Sequence, residues 1–455
     1  MLHANLGREN VISGGIKTTL RALVKSDVNS SGASIISGEE AYANRVLDLP
    51  ISLDLFQAAK PITDVVGVTR TFKDVIDYFK VPEGETPAGF RIEYVLEADG
   101  VLRVDLVRDI SYDKNGQKRP TQFLFSADTA DPYDIAPIKH LIANLTCNPG
   151  IIYDLFINNP EANIGGKFKT RDEVMEEIGR ILGPGVDISV ELNNPFEESE
   201  QAILEEVEKF REMLSPYRVV IKVPHTGPVN AENVQELLTG DKKFQRNYYE
   251  GSTTDMLRGH NLALFLREHG FRVNFTLMFE PYQTAMALQA KPYFINSFVR
   301  HRLFQSKDMR RLLDLYSMSE EKSFLEDLRS LLLKGDYISM QNSELDLMEV
   351  KAMTERILKY RRFDDREGRD GLDAVRHNLR MLRNVNLPDT RLIICSMEGE
   401  SMYPEIDDLL VEEEFQDMVD RIVITAVPAY LARFTSSNLV VAYQRRFMNA
   451  AEGQK

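Results

Sequence analysis

From about residue 120 onward, short runs of aliphatic and β-branched residues alternate with longer segments whose apolar positions recur at helical spacing. The runs are QFLFSAD (122–128), LIANLTCN (141–148), VDISVELN (186–193), RVVIKVP (218–224), RVNFTLM (272–278), YFINSFV (293–299), RLIICSM (391–397) and RIVITAVP (421–428). Between them lie segments such as SEQAILEEVEKFREML (199–214) and TDMLRGHNLALFLREHG (254–270). A near-continuous apolar run suits a strand buried on both faces, and its alternation with helical sequence predicts repeated βα units around a parallel sheet. Eight such units predict an α/β fold of the closed (β/α)8 TIM-barrel type. The alternative, an open doubly wound sheet, would carry a glycine-rich phosphate loop after the first strand, and FSADTADPYDI has none.

Two connections exceed ordinary barrel loops: residues 225–253, and the stretch between the sixth and seventh strands. The second, 303–390, is a largely helical insertion in which MRRLLDLYSM, EEKSFLEDLRSLLLKG and LMEVKAMTERILKYRRF place apolar residues at helical spacing, most simply as packing faces. Residues 1–118 stand outside the barrel pattern as an N-terminal α+β extension of unassigned role. Within it TFKDVIDYF reads as a helix and FRIEYVLEADGVLRVDLV as a hairpin around an Asp-Gly turn. The barrel is expected over 119–435, and SSNLVVAYQRRFMNAAEGQK (436–455) as a closing helix capped by its serine pair.

Along a barrel strand, side chains alternate between the interior and the surrounding helices, and functional groups come from the carboxyl ends of several strands. In the third strand Ile188, Val190 and Leu192 share one face and Ser189, Glu191 and Asn193 the other, so Glu191 is expected to point into the barrel mouth. The same rule turns inward Asp128 on the first strand, Asn148 on the second, Lys222 on the fourth, Asn274 and Thr276 on the fifth, Asn296 on the sixth and Ser396 on the seventh. A lone lysine at a strand end is ordinarily one that snorkels to water. A lysine ringed by inward polar groups from several strands is a candidate functional group, because a purely structural barrel interior favours bulky branched residues.

The chain has 455 residues, 43% of them hydrophobic and 27% charged, which fits a soluble globular protein with a sizeable core. Its formal net charge of −15 is spread along the sequence, so nucleic acid and anionic lipid are not expected partners. The two cysteines, Cys147 and Cys395, lie far apart in apolar runs, which is neither a disulfide framework nor a zinc pattern. MLHANLGRENVISGG has no apolar segment long enough for a signal peptide, and no eighteen apolar residues run together. A cytoplasmic protein is therefore expected, without membrane contact, and the sequence leaves a homo-oligomer open.

Desolvation disfavours the charge of a lysine in a partly dry mouth and makes its neutral amine available to attack a carbonyl, which is Schiff-base chemistry. That chemistry also needs a group to take a substrate proton and a group to manage water around the imine, and Asp128 and Glu191 are candidates for the two roles. No HExxH, no metal-spaced histidines and no GxSxG elbow compete, so neither a metal nor an organic cofactor is expected. His225 is read as packing at the start of its loop, with proton transfer above the mouth as the alternative.

These residues resemble the transaldolase family, class I aldolases on a (β/α)8 barrel, over roughly residues 122–435. FSADTAD is similar to the family's first-strand segment, LTCNPGII to its Thr-Thr-Asn-Pro-Ser-Leu-Ile motif, and ISVELN to its third-strand glutamate segment. IKVPHTG is similar to its Lys-(Ile/Val)-Pro-x-Thr motif, and VNFTLMF, followed by Gln283 and Ala285, to its Asn-(Leu/Val)-Thr-Leu-Phe-Ser segment. The resemblance implies that Lys222 attacks a ketose carbonyl, Asp128 removes a hydroxyl proton, and Glu191 acts through a water held with Thr276, while Asn148 binds substrate. It also implies transfer of a dihydroxyacetone unit between a ketose and an aldose, phosphorylated sugars of the pentose phosphate pathway type, with no cofactor.

The chain departs from the family after the fifth strand. In INSFVRHR, Asn296 takes a serine position and His301 an arginine position, with Arg300 and Arg302 on either side; the motif Ser-Phe-Arg-Asn becomes Ser396-Met397-Glu398-Gly399. A carboxylate there would repel a phosphate that an arginine fork would bind. Either Arg300, Arg302 or a group of the long insertions binds phosphate, or the substrate is an unphosphorylated or differently charged sugar. A third reading is a catalytically silent barrel that serves as a binding module.

Overall fold

Eight parallel strands close into a barrel in the computed structural model, which describes residues 4–8, 17–25 and 31–453. They are β1 (Leu124–Asp128), β2 (Ile142–Cys147), β3 (Asp187–Glu191), β4 (Val219–Pro224), β5 (Arg272–Thr276), β6 (Phe294–Phe298), β7 (Arg391–Cys395) and β8 (Ile422–Ala426). Strand order follows chain order, and β8 pairs with β1 to close the ring. The fold is a (β/α)8 TIM barrel. It closes because nearly every strand residue is buried: inward side chains fill the interior while Ile188, Val190, Ile221 and Val223 meet the helices outside.

Outer helices start where the sequence supplies caps. Ser199 Oγ accepts from the Ala202 amide at 3.2 Å to open Glu200–Leu214, whose Ile203, Val207, Phe210 and Leu214 are buried. The insertion between β6 and β7 forms α1 (Arg300–Ser319), α2 (Ser323–Lys334), α3 (Leu347–Tyr360) and α4 (Asp373–Arg383). The first three share a core of their own, with Met309, Leu312, Leu325, Leu328, Leu332, Val350 and Leu358 buried together. These apolar stripes are packing faces.

The chain divides into two compact units, Met1–Pro120 with Gly183–Asp187, and Thr121–Leu182 with Ile188–Lys455. The first holds a five-stranded sheet ordered Ala4–Arg8, Phe90–Leu96, Val101–Arg108, Val65–Val68, Ser34–Ile35. Its central pair is the antiparallel hairpin, turning at Gly100 with φ +82°. The helix Arg70–Phe79 is capped by Thr69 Oγ1, which accepts from the Phe72 amide at 3.1 Å. At the other end of the chain, Ser437 caps the helix Asn438–Ala451, which has no buried residue among those described.

Candidate active site

Strand register sets the site. Glu191 at the end of β3 pairs with Lys222 on β4, Lys222 pairs with Asn274 on β5, and Pro224 pairs with Thr276. Register partners on neighbouring parallel strands point to the same face, so Glu191, Lys222 and Asn274 stand side by side, with Thr276 one level nearer the carboxyl end. Lys222 is 6% exposed, and its Nζ lies 3.5 Å from Glu191 Oε2. On β1, Asp128 sits opposite Thr146 of β2.

Burial raises both carboxyls. At Asp128 desolvation outweighs the pull of the Lys222 charge and lifts the group above its ordinary range. At Glu191 desolvation again prevails, against the charge and hydrogen bond of Lys222. Both therefore hold a proton more readily than exposed carboxyls do. The Cys147 thiol, wholly buried, is pushed up to about 12, so it remains protonated and takes no part as a nucleophile.

A layer of polar side chains lines the interior. Asn144 Nδ2 donates to Ser126 Oγ at 2.9 Å, and Ser189 Oγ donates to Asn144 Oδ1 at 3.2 Å. Asn296 Nδ2 donates to Asn274 Oδ1 at 2.6 Å and to the Phe275 carbonyl at 2.8 Å, which orients the Asn274 amide. Asn274 Nδ2 and Thr425 Oγ1 are buried without a hydrogen-bond partner. A buried polar group left unpaired costs about 1–3 kcal/mol, so Asn274 is a donor in need of an acceptor beside Lys222.

Other expected residues lie at the rim. Asn148 follows β2, and its Oδ1 accepts from the Ile151 amide at 2.9 Å, fixing the start of the helical turn Gly150–Ile157. Ser396 follows β7 at φ +60°, and Leu277 follows Thr276 at φ +55°. Non-glycine residues in this region are strained by about 1–3 kcal/mol, and here two of them turn the chain at strand ends. The Ser396 carbonyl accepts from the Arg300 amide at 3.1 Å. His225 packs its ring 4.5 Å from that of Phe275. Burial and the nearby His260 push it down to about 4, so the imidazole is neutral.

Arg302 corrects an expectation. Its guanidinium is buried and shared between Glu280, at 2.9 Å, and Asp373. Arg361 reaches the same Glu280 at 2.7 Å. Arg302 is therefore a structural cation here and is dropped as a phosphate ligand. Burial acts to raise the Glu280 carboxyl, but the Arg302 and Arg361 charges outweigh it and hold the group below its usual range. Arg300 is different: partly exposed at the rim, it donates to Glu398 Oε2 at 3.0 Å. The residue that departs from the family motif thus sits on the neighbouring arginine.

Sequence reading missed the inner layer of Ser126, Asn144 and Thr425, although each lies two residues from an inward position or on an inward face. It also missed Glu280 and Arg361, for which no local pattern exists. Among the described residues no group of three or more His, Cys, Asp or Glu is placed to hold a metal ion, and no helix is long and apolar enough to cross a membrane.

A family model described as Transaldolase/Fructose-6-phosphate aldolase matches residues 125–323. The matched stretch carries Asp128, Asn148, Glu191, Lys222, Asn274 and Thr276, so the resemblance to the transaldolase family holds where those motifs lie. It ends before β7, after which Met397, Glu398 and Gly399 depart from the family pattern while Ser396 keeps it. The match supports an enzyme of the transaldolase or aldolase type. No curated protein matches the chain.

Proposed function

We propose, from the transaldolase or aldolase character of residues 125–323, that the protein transfers or releases a dihydroxyacetone unit through a Schiff base on Lys222. The observation that carries this reading is one buried amine, Lys222, 3.5 Å from the buried carboxyl of Glu191, in a barrel mouth whose Asp128 also feels the lysine charge. In the proposed reaction the neutral amine adds to the ketose C2 carbonyl, and the resulting carbinolamine loses water to give an iminium. Asp128 then takes the proton of the C4 hydroxyl as the C3–C4 bond breaks. The bonding pair flows to the iminium nitrogen, giving an enamine and releasing an aldehyde. The enamine adds to an acceptor aldehyde in transfer, or is protonated and hydrolysed in simple cleavage.

The raised carboxyls suit these roles, since a base of higher pKa accepts a proton more readily while the carbon bond breaks. Glu191, through a water held with Thr276, assists water loss and return at the imine. The Asn274 amide, oriented by Asn296, supplies a donor beside the nitrogen-bearing carbon. Asn148 and Ser396 complete the substrate contacts at the rim. In this reading the protein acts in the cytoplasm and needs no cofactor.

Phosphate recognition divides the reading in two. Arg302 is committed to Glu280 and Asp373, and Arg300 already faces Glu398, which favours an unphosphorylated sugar. The Arg300–Glu398 pair is nevertheless partly exposed, hence weak, and a phosphate dianion could displace the carboxylate. Borohydride trapping tests both parts. The protein is incubated with fructose 6-phosphate or with fructose, reduced, digested and mapped by mass spectrometry, with Lys222→Ala as control. A dihydroxyacetone-sized adduct on Lys222 supports the mechanism, and the sugar that gives it identifies the substrate class. Adduct formation undiminished in Lys222→Ala would sink the reading.

A further inference from the structure

A large cavity lies between the connection after β4, the turn after β5 and the helices of the insertion. Its volume is about 940 Å³, and neither Lys222, Glu191 nor Asp128 lines it. Cavities of about 300–1,000 Å³ are the size of sites for compact organic ligands. Two features of its lining point to the class of ligand.

The first is aromatic. Tyr248, Tyr249, Tyr282, Tyr337 and Tyr360 all face the cavity, drawn from three separate connections of the barrel. All but Tyr337 are 49–61% exposed, an unusual concentration of large flat side chains open to water. The Tyr282 and Tyr360 rings lie 6.1 Å apart and tilted by 44°, an aromatic pair within contact range of each other at the cavity wall. Such platforms bind flat rings by stacking, while the phenol oxygens offer hydrogen bonds.

The second is electrostatic. Glu280 and Asp373 are matched by Arg302 and Arg361, and Asp336 at the rim is matched by Lys243 at 2.9 Å. Arg356 on α3 also lines the cavity, and its guanidinium has no hydrogen-bond or ion-pair partner among the described residues. Once the pairs cancel, the lining keeps one uncommitted cation on a chain whose net charge is −15. The remaining polar groups, among them Asn247 and Asn342, are amides suited to ring edges and hydroxyls.

We infer that this cavity is a binding site for a nucleoside monophosphate, its base stacked on the exposed Tyr360 ring and its phosphate held by Arg356. Lys222, Glu191 and Asp128 do not line the site, so the nucleotide would bind beside the lysine chemistry and without contact to it. A phosphate on Arg356 gains charge-assisted bonds, and the base gains a stacking surface; neither adenosine nor ribose 5-phosphate collects both contributions.

Isothermal titration of the full chain with adenosine 5′-phosphate, adenosine, ribose 5-phosphate and inorganic phosphate tests this. The nucleotide should bind about tenfold or more tighter than each of the other three. Arg356→Ala should reduce nucleotide affinity to that of adenosine, and Tyr360→Ala should weaken it about tenfold while Tyr360→Phe retains it. Both positions are exposed, so the variants should fold, and circular dichroism checks that they do. Lys222→Ala should bind the nucleotide as the wild type does, which separates this site from the proposed reaction. The proposal is overturned by no heat at millimolar nucleotide or by equal affinity for ribose 5-phosphate. It is equally overturned by binding that survives both Arg356→Ala and Tyr360→Ala, or by binding lost in Lys222→Ala.

Discussion

The barrel unit buries charge in two places and treats it in opposite ways. Around Arg302 the cations are multiply paired: Glu280 and Asp373 grip its guanidinium, and Arg361 adds bonds to Glu280, to the Arg302 carbonyl at 3.1 Å and to Tyr337. Around Lys222 the pairing is loose: one carboxylate contact at 3.5 Å, an unpaired Asn274 Nδ2 on a register neighbour, and two carboxyls that burial holds above their ordinary range. Multiple pairing makes a cation inert, because any approaching ligand must replace several bonds at once. Loose pairing keeps an amine and its carboxyls available for proton exchange. Arginine and lysine suit these two roles, one as an always-charged fork and the other as a group that can lose its proton.

The largest effect should come from the loose region. Lys222→Ala should remove borohydride-trappable adduct and bring turnover to background, while thermal unfolding moves little, since one weak contact is lost. Turnover persisting in this variant would place the nucleophile elsewhere. Next come the carboxyls: Asp128→Asn and Glu191→Gln should each slow turnover by about 10²–10⁴-fold, the usual range for positioned acid–base groups. Single-turnover kinetics separates them, with Asp128→Asn accumulating trapped ketose imine and Glu191→Gln slowing imine formation itself. The reverse assignment would follow from the reverse pattern.

In the multiply paired region the effect should fall on stability. Arg302→Ala leaves Asp373 buried without its cation and Glu280 with Arg361 alone, and should cost about 3–5 kcal/mol by urea unfolding. At low temperature the adduct on Lys222 should still form. A stable Arg302→Ala variant that has lost affinity for phosphorylated sugars would restore Arg302 to the substrate site.

The contrast between the regions also explains what could be read from the sequence. The eight strands were legible because parallel barrel strands are buried on both faces, which leaves runs such as VVIKV with little else to be. The reading overran some ends, including those of β5 and β7, where the strand-like runs continue past Leu277 and Ser396 to Met278 and Met397 although the backbone has already turned to positive φ. Lys222, Glu191 and Asn274 were legible because alternation on a strand fixes a side chain's face. Arg302 was not, because its partners lie 22 and 71 residues away and nothing local marks an arginine as buried. The helix α4 escaped for a related reason: Asp373, Arg376 and Asn378 are buried polar residues on it, so polarity there does not report exposure. The tyrosines of the large cavity come from residues 248 to 360 and meet only once the barrel has closed.

The two regions should also respond to pH with opposite sign. Asp128 has a raised folded value, so the stability tied to its proton is fully present below the unfolded carboxylate value near ~4 and is lost as pH rises through the folded value. Glu280 is depressed, so its contribution is present above ~4.3 and lost as pH falls through its folded value. Compared with wild type by urea unfolding, Asp128→Asn should gain relative stability as pH rises from about 4, whereas Glu280→Gln should lose it as pH rises towards about 4.3 and then stay level. Parallel curves for wild type and Asp128→Asn would mean that burial does not raise this carboxyl.

The smallest effect is expected where the two treatments of charge meet, at the partly exposed Arg300–Glu398 pair. Such pairs contribute at most about 1 kcal/mol and are screened by salt, so Glu398→Gln should barely alter unfolding. Its effect should appear in binding. With Glu398 neutral, Arg300 no longer has to exchange one anion for another, and a sugar phosphate gains what the carboxylate contact was worth. KM for fructose 6-phosphate should fall about two- to fivefold in Glu398→Gln, the gain shrinking with added salt, while KM for fructose stays where it was. Arg300→Ala should cancel that gain. If Glu398→Gln instead raises KM for both sugars alike, the carboxylate contacts the substrate directly and the pair belongs with the loose, reactive region of the barrel.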